Sequence, residues 1–487
     1  MYYTFTIPRE NFDETNIDRS MILRLISKHY SIRAPEILKN VGYYFGKHAI
    51  MNREKKFKNQ PNNKIMVNHA KDISDTATGY FLSNPITFKK NTEDGNIDKL
   101  TGAFVDAETD DTDSCNAINM SRAGVAYEYV YLCEHESKLM TKTLDPLSTF
   151  KVFDASIEQH ELFSVYYSIE KDDSTDRFNI IATVTTENYV TRIGITCNEE
   201  FEKGEFSELG EPYPHFLGED PIIEYRNNMD CIGDYEQQIS LIDAYNTLCS
   251  DRINDKEQFI DAVLVVYGAL LGDDDEEATK ALQAIRKNGV MELPSDARSE
   301  YLTRTFDENA VETLKRSIKE DIYSLSHVPN LTDENFAGNS SGIAIQYKLL
   351  ALETLTKTKE RYYKKGLKKR IRMFCTYLNL KAIAADQSMI EPVFTRGLPQ
   401  NRLELSQIIS NLKGVVSTKT LLALLDFVSN VDDEMKEVKK EQQEALETQK
   451  QLFDTENQNT PPEDEEETDD HKEDGNNDDD DDDKDKE

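Results

Sequence analysis

The sequence predicts an α+β protein, in which helix-forming and strand-forming segments follow one another in separate blocks. Three observations support this class. Apolar side chains recur at helical spacing over the first 90 residues or so. Residues from about 100 to 225 hold β-branched and aromatic runs, separated by short polar breaks. Beyond 225 the helical spacing returns and is interrupted by one small segment of mixed type.

The N-terminal block is predicted to be mainly helical. Ile22, Leu25 and Ile26 lie at helical spacing, and Gly46 indicates a turn after YYFG. Asn68 is a candidate N-cap for the helix that follows it. In the second block, the strand-like runs are GVAYEYVYLCE, STFKVFD, ELFSVYYSIE, FNIIATVTT and YVTRIGIT. Their short polar connections predict an antiparallel meander.

Two amphipathic helices are predicted on either side of a compact αβ insert. The first, over 228–251, has an apolar stripe and otherwise carries acids, with no lysine or arginine in the window. The insert contains the strand AVLVVYG, the helix EEATKALQAIRKNG and two further strands. The second amphipathic helix opens at Asp307 and is ended by Pro329.

A polar loop and a long basic helix come next. Between 342 and 372 the chain holds ten lysines or arginines and only two acids. An apolar stripe runs along one side of this helix through Tyr363, Leu367, Ile371, Phe374 and Leu378. The strand EPVFTRG follows, and then three helical segments up to about residue 455.

Charge separates the C-terminal end from the rest. Residues 461–487 hold 17 acidic and 3 basic side chains, a net −14 of the −35 on the whole chain, so that residues 1–460 still carry −21. Such a tail is predicted to be disordered. An acidic surface repels DNA, which argues against an ordinary sequence-specific DNA-binding protein.

Motifs for chemistry are missing from the sequence. It has no GxxxxGK[ST] loop, no GxGxxG after a strand and no cysteine–histidine pattern with zinc spacing. We therefore predict no enzymatic activity, no cofactor and no metal. The six cysteines form no CxxC pair, and reduced thiols are expected. The N-terminus lacks the pattern of a signal peptide, and no apolar run is long enough to span a bilayer.

Four short stretches in this order resemble the portal proteins of long-tailed double-stranded DNA bacteriophages. They are YYFG at 43–46, PNNKIMVNHAKDI at 61–73, LIDAYNTLCSDRIND at 241–255 and NSSGIAIQYKLLALE at 339–353. The resemblance implies a portal fold, and a ring of typically twelve copies at one capsid vertex, through which DNA is packaged and ejected.

The resemblance also implies a division of the chain. The wing would comprise residues 1–225 and, as a long helix and strand, 342–398. Stem helices would occupy 226–257 and 306–326, with the clip between them at 258–305. The tunnel loop would be 327–341, the crown 399–455 and the disordered acidic tail 456–487.

Implied partners are further copies of the chain, the terminase large subunit, a head-completion or adaptor protein, the scaffold and the major capsid protein. Double-stranded DNA would pass without sequence specificity, and no membrane is involved. The location would be the virion, after assembly in the host cytoplasm.

Three groups of residues are candidate sites in such a ring. Asp234, Glu236 and Asp243 are predicted to line the channel, where acids would keep DNA from sticking; the alternative is that they only solvate a helix face or pair with a neighbouring subunit's cations. Arg370 and Arg372 are predicted subunit-interface anchors, because a guanidinium holds a carboxylate through two hydrogen bonds. The uncharged loop residues predicted to touch DNA are Asn330, Thr332, Asn335, Asn339, Ser340 and Ser341.

Alternatives remain for several of these features. The loop is also compatible with an ordinary surface connection. The basic helix would either bind DNA or act as a cationic strut against acidic subunits, and the strut is favoured. The acidic tail either maintains solubility or repulsion, has no role, or mimics DNA toward a basic partner. A different function altogether is a non-enzymatic scaffold or chaperone-like adaptor, acting through the charged helix near the C-terminus.

Overall fold

The computed structural model describes residues 4–55, 61–90, 97–133, 135–172, 174–202, 204–260, 263–267, 274–288, 298–302, 308–330, 347–387, 390–396, 402–425, 428 and 431–457. The chain divides into two compact units, Met1–Gln400 and Asn401–Glu487. Helices and sheets alternate in blocks, which confirms the α+β class.

Helices dominate the N-terminal part, as predicted. They are α1 (Arg19–Lys28), α2 (Ala34–Tyr44), α3 (His69–Leu82), α4 (Ile97–Asp106) and α5 (Thr109–Ala123). The side chain of Asn68 accepts from the backbone N–H of Lys71 at 3.0 Å, which confirms this N-cap. Gly46 follows α2 with φ of +80°, the left-handed conformation that a glycine adopts without strain.

Two sheets form the middle of the first unit. The strands up to residue 226 are β1 (Phe5–Ile7), β2 (Thr87–Lys90), β3 (Val125–Cys133), β4 (Lys138–Leu144), β5 (Thr149–Asp154), β6 (Glu161–Asp172), β7 (Arg177–Thr185), β8 (Tyr189–Cys197), β9 (Glu205–Glu208), β10 (Tyr213–Pro214) and β11 (Ile222–Arg226). The larger sheet has the order β1-β5-β6-β7-β8-β10, with β9 also on β8, and the smaller is β11-β3-β4. The predicted meander is confirmed for β5 to β8, which pair antiparallel in sequence order.

Two features of this block differ from the sequence prediction. Residues 97–123 are helical, so the strand-rich part begins only at Val125. Strand β1 was not predicted, and it pairs parallel to β5, at the edge of the antiparallel meander. A three-residue strand carries too little periodicity to be recognised without its partner.

The second half of the first unit is mainly helical. Its elements are α6 (Ile239–Ile260), β12 (Val263–Tyr267), α7 (Asp275–Asn288), β13 (Arg298–Leu302), α8 (Glu308–Ser326), α9 (Leu350–Leu380) and β14 (Ile390–Val393). Strands β12 and β13 pair antiparallel, which confirms two strands of the predicted αβ insert, whereas its other predicted strand, at 290–293, lies outside the described residues. The predicted strand near residue 392 is β14, and it pairs antiparallel with β2.

The second unit contains three described helices, and no sheet among its described residues. They are α10 (Arg402–Leu412), α11 (Thr418–Leu422) and α12 (Val431–Asn457), as the three predicted segments required. Ser417 caps α11 by accepting from the N–H of Thr420 at 3.2 Å. The predicted disordered tail, 456–487, lies outside the described residues except for its first two positions.

The first amphipathic helix starts later than predicted. Residues 228–235 are irregular, a short 3₁₀ turn spans Glu236–Gln238, and α6 begins at Ile239. The cause is close backbone packing against the end of α5. A Cβ on Gly124 would lie 1.9 Å from the carbonyl oxygen of Cys231, and the N–H of Asp234 donates to the carbonyl of Ser121 at 2.8 Å.

The three largest of four buried clusters among the described residues hold the first unit together. One joins α1 to the larger sheet, and a second joins α3, α4 and α5 to the smaller sheet and α9. The third joins α3 and the start of α6 to the end of α8 and the start of α9. The predicted stripe of α9, from Tyr363 to Leu378, is buried in the second cluster. No described helix is long and apolar enough to cross a membrane.

Candidate functional site

The long helix α9 is the element at which most of the buried charges meet. Its composition is rich in leucine, lysine and arginine, which favour helix over its 31 residues. Gly366 lies where the helix comes closest to the smaller sheet. A Cβ there would be 2.4 Å from Cε1 of Tyr225, so only glycine allows this approach.

Arg370 is fully buried among groups of its own chain, in what we call the Arg370 cluster (Arg370, Asp113, Glu128, Tyr225 and Tyr363). Its guanidinium donates to Asp113 at 2.6 and 3.0 Å and to Glu128 at 2.8 Å. The Tyr363 hydroxyl donates to Asp113 at 2.5 Å, and the Tyr225 hydroxyl donates to Glu128 at 2.8 Å. The two tyrosine rings stack with centroids 4.4 Å apart.

The electrostatics of this cluster hold its charges in place. Burial disfavours the charged form of Arg370, but the carboxylates of Asp113 and Glu128 outweigh that effect and raise its pKa well above the usual value. Burial also raises the pKa of Tyr225 and of Tyr363 well above the usual value, so both hydroxyls remain donors. The prediction of Arg370 as a subunit-interface anchor is wrong, because its side chain is inaccessible and its carboxylate partners are internal.

A second group of charges, in which only Glu161 is partly exposed, joins α9 to the larger sheet. Lys151 on β5 lies 2.6 Å from a Glu161 oxygen and 3.4 Å from Asp220, and Lys369 of α9 also pairs with Glu161. Burial by itself would raise the pKa of Glu161, yet the two ammonium groups hold it far below its usual value. Thr185 donates to the other oxygen of Asp220 at 2.6 Å. This arrangement ties α9 to β5 and β6 through charges.

Asp234 takes part in a third buried group. Its side chain is 1% exposed and pairs with Lys359 of α9. Ser121 donates to one carboxylate oxygen at 2.6 Å and Asn227 to the other at 2.9 Å. The prediction of Asp234 as a channel-lining acid is therefore wrong, because its carboxylate faces a lysine of its own chain and not solvent.

The other predicted acids and Arg372 are more accessible. Glu236 and Asp243 are half-buried; Glu236 accepts from the N–H of Gly233 at 3.0 Å, and Asp243 accepts from the Tyr43 hydroxyl at 2.8 Å. Arg372 pairs with Glu219 of the same chain, and its side chain is 40% exposed. Nothing in these positions tests a role in a channel or an interface, so both remain predictions.

Of the six predicted tunnel-loop residues, only Asn330 is among the described residues. Asn330 is half-buried after the end of α8, whereas Thr332, Asn335, Asn339, Ser340 and Ser341 lie outside the described residues.

The helices on either side of the αβ insert pack against each other and leave apolar side chains uncovered. Arg252 of α6 pairs with Glu312 of α8 at 2.6 Å. On α8, Ile322 is fully buried, but Leu314 is 51% exposed and Leu325 60% exposed. The predicted stripe of α8 is thus only partly covered within one copy of the chain.

Sequence reasoning missed the partners of the α9 cations. Asp113, Glu128 and Glu161 were not singled out, and Lys359 and Lys369 were not distinguished from the other lysines of the helix. A weak signal existed for Glu128 alone, since it interrupts the otherwise apolar and aromatic strand VAYEYVYLC. A lone acid within such a run needs a buried counter-charge.

No group of three histidine, cysteine, aspartate or glutamate side chains that could hold a metal ion is found among the described residues. None of the six cysteines, all of which are described, forms a disulfide bond. Among the described residues, the buried cations of α9 pair with carboxylates inside the fold.

Comparison with known proteins identifies the family of the chain. Residues 23–448 match the family described as phage portal protein, SPP1 Gp6-like. A portal protein of Bacillus phage SPP1 is 24% identical over 466 residues, covering 90% of this chain and 89% of the relative. A portal protein of Clostridium phage phiCD119 is 22% identical over 448 residues, covering 84% and 93%. A chain in the solved neck of an empty GTA particle aligns with a TM-score of 0.43 at 11% identity, covering 73% of this chain and 89% of that one.

The chain belongs to the phage portal protein family, because the family match spans most of its length. Portal proteins are structural components of the virion that form oligomeric rings at the connection between head and tail. The resemblance stated from the four motifs is thereby confirmed.

Proposed function

We propose that this chain is the subunit of a ring, of twelve copies, that serves as a passive conduit for double-stranded DNA at one capsid vertex. It takes DNA during packaging by the terminase large subunit, retains it and releases it at ejection, without sequence specificity and without catalysis of its own. The family match over residues 23–448 carries this proposal.

The stem helices supply the physical reason for an oligomer. Leu314 and Leu325 expose apolar surface on α8, and Ile253 on α6 is 39% exposed. Exposed leucines in a row on a helix favour burial against another surface, at about 25 cal/mol per Å² of apolar area removed from water. In a ring, the neighbouring copy offers that surface on both sides of every subunit.

We further propose the regions that the resemblance implies. Residues 1–225 and 342–398 form the wing, 226–257 and 306–326 the stem, 258–305 the clip, 327–341 the tunnel loop and 399–455 the crown. The terminase and afterwards the head-completion or adaptor protein bind at the clip, while scaffold and major capsid protein surround the ring during assembly in the host cytoplasm. Glu236 and Asp243 contribute acids to the channel, Arg372 contacts the neighbouring copy, and the uncharged tunnel-loop side chains touch passing DNA.

Electron microscopy of the purified protein tests the ring and the channel together. Rings with a central hole are expected, and a reconstruction should place Glu236 and Asp243 facing the axis. A variant with Leu314→Asp and Leu325→Asp should lose ring formation, because carboxylates would replace apolar contacts. The matched control is Val105→Asp with Ile157→Asp, which changes two exposed apolar residues outside the stem. Equal ring yields from both variants would contradict the proposed stem interface.

The alternative is a scaffold or adaptor that acts through the charged C-terminal helix, α12. It is favoured only by the composition of that helix, which is dense in glutamate and lysine. Deletion of residues 430–487 separates the two functions, since the ring should still assemble without them. A stable monomer of the full chain at high concentration, measured by light scattering, would overturn the conduit.

A further inference from the structure

The outward face of α9 carries a row of cations at successive turns. Lys357, Arg361, Lys365 and Lys368 are all exposed, at spacings of four, four and three residues. This spacing places them along one side of a helix, opposite the buried Arg370. We call these four side chains the basic row.

Three of the four cations in the basic row have no counter-charge within the described part of the chain. Lys357 lies 3.6 Å from Glu353. Arg361, Lys365 and Lys368 form no ion pair with any described residue. The three cations are therefore available to an anion from outside the subunit.

We propose that the basic row binds the phosphate backbone of duplex DNA. The inference rests on the proposed function, because that function brings DNA to the ring. Cations four residues apart on a helix are about 6 Å apart along its axis, and the row extends over about 16 Å. One strand of a duplex carries a phosphate every 3.4 Å or so of axis, so several phosphates lie within reach of the row.

The chemistry of the row favours a polyanion of uniform charge over an acidic protein. Between Lys357 and Lys368 the exposed positions hold only charged side chains and no apolar anchor. Protein interfaces concentrate their binding energy in buried aromatic or apolar anchors, which the exposed positions from Lys357 to Lys368 lack. The nearest exposed large apolar side chain on α9 is Leu350, seven residues before Lys357. Lysine and arginine without other specific contacts bind nucleic acid at the backbone, independently of sequence.

The row is expected to hold DNA weakly and reversibly. Residues 1–460 carry a net −21, which repels a duplex beyond the reach of the local contacts. Three phosphates neutralised per copy would give a slope of log affinity against log salt of about −2.7. Such binding disappears over a modest rise in ionic strength and would not trap moving DNA.

The test measures binding of a labelled short duplex to purified rings by fluorescence anisotropy, from 50 to 200 mM salt, the range over which phosphate contacts lose affinity steeply. The variant combines Arg361→Gln, Lys365→Gln and Lys368→Gln. Its salt slope should be smaller by about 3, and its affinity at low salt lower by on the order of a hundredfold. The matched control combines Arg24→Gln, Lys28→Gln and Lys39→Gln, three exposed cations on α1 and α2 whose loss changes the net charge equally.

The outcomes separate this inference from the proposed function. Loss of binding in the α9 variant alone supports the basic row. An equal loss of binding in both variants overturns it, because only total charge would then matter. No loss of binding in either variant also overturns it, because the row would then not contribute to DNA binding. Polyglutamate that displaces the duplex at equal charge concentration would assign the row to an acidic protein and would also overturn it. Absence of rings in the unmodified protein by electron microscopy contradicts the proposed function, whereas intact rings with unchanged DNA binding contradict only the row.

Discussion

The two sides of α9 carry the same residue types and have opposite surroundings. On the inner side, Lys359, Lys369 and Arg370 are buried and each pairs with carboxylates that come from distant parts of the chain. On the outer side, Arg361 and Lys368 are exposed, without an ion pair among the described residues. The apolar stripe between the inner cations decides which side of α9 faces the protein interior, because its side chains must be buried.

This difference shows that cations on one helix can have two different surroundings, depending on which side of the helix they occupy. The inner cations fix the position of α9 on both sheets, since a buried charge is tolerated only with its specific partner in place. The outer cations contribute little to the stability of one copy and remain available for an external anion. The interpretation of the helix as a cationic strut against acidic subunits does not describe its inner side, because these cations pair with carboxylates of their own chain.

The largest expected loss of folding stability comes from removing the most deeply buried cation. Arg370→Met leaves Asp113 and Glu128 buried without their counter-charge, which should reduce the free energy of unfolding by about 3–5 kcal/mol. Arg372→Met, two residues further on, removes only a partly exposed pair with Glu219 and should cost less than about 1 kcal/mol. Urea unfolding of both variants measures the difference. Similar small losses in both would show that the inner side is not the stabilising one.

A smaller effect is expected where α9 contacts the smaller sheet most closely. Gly366→Ala would place a methyl group against the buried ring of Tyr225 and should destabilise by about 1–3 kcal/mol. The control is Gly79→Ala on α3, where no atom lies within 4 Å of the new Cβ. That change should stabilise by about 0.5–1 kcal/mol, because alanine favours helix over glycine. If thermal or urea unfolding showed a stability change of the same sign for both variants, the close approach of α9 to the ring of Tyr225 would be excluded.

The smallest expected effect concerns acid stability near the start of α9. Glu353 accepts from Arg396 at 2.9 Å and from the Tyr80 hydroxyl at 2.8 Å. Burial opposes ionisation, but these donors hold the pKa of Glu353 below its ordinary value of 4.5. Because the folded-state pKa is the lower one, its contribution is complete above pH 4.5 and is lost as the pH falls through that folded-state value.

Glu353→Gln should therefore lower stability at neutral pH by about 1 kcal/mol, an effect that shrinks in acid. The measurement is the free energy of unfolding against pH, compared with the exposed control Glu54→Gln. A loss that stays the same from neutral to acidic pH would mean that the ionised carboxylate does not contribute.

Much of the architecture was readable from local patterns. The meander from β5 to β8, the αβ insert, the cap at Asn68 and the buried stripe of α9 all depend on spacing within a few residues. Such spacing reports which side of an element must leave water, and it does so without knowledge of the partner. The late start of α6 was not readable, because it depends on contact between residues near 124 and near 231.

By itself, the sequence determined the α+β class, the order of the segments and the family, since these depend on periodicity and on short motifs in a fixed order. Only the tertiary structure decided the role of each charge. Arg370 meets Glu128 and Asp113 across 242 and 257 residues, and Asp234 meets Lys359 across 125. The sequence shows that a side chain is charged, but not whether it is buried or which group it pairs with. A cation on a helix can face water or a distant carboxylate, and only the packing of the fold decides between them.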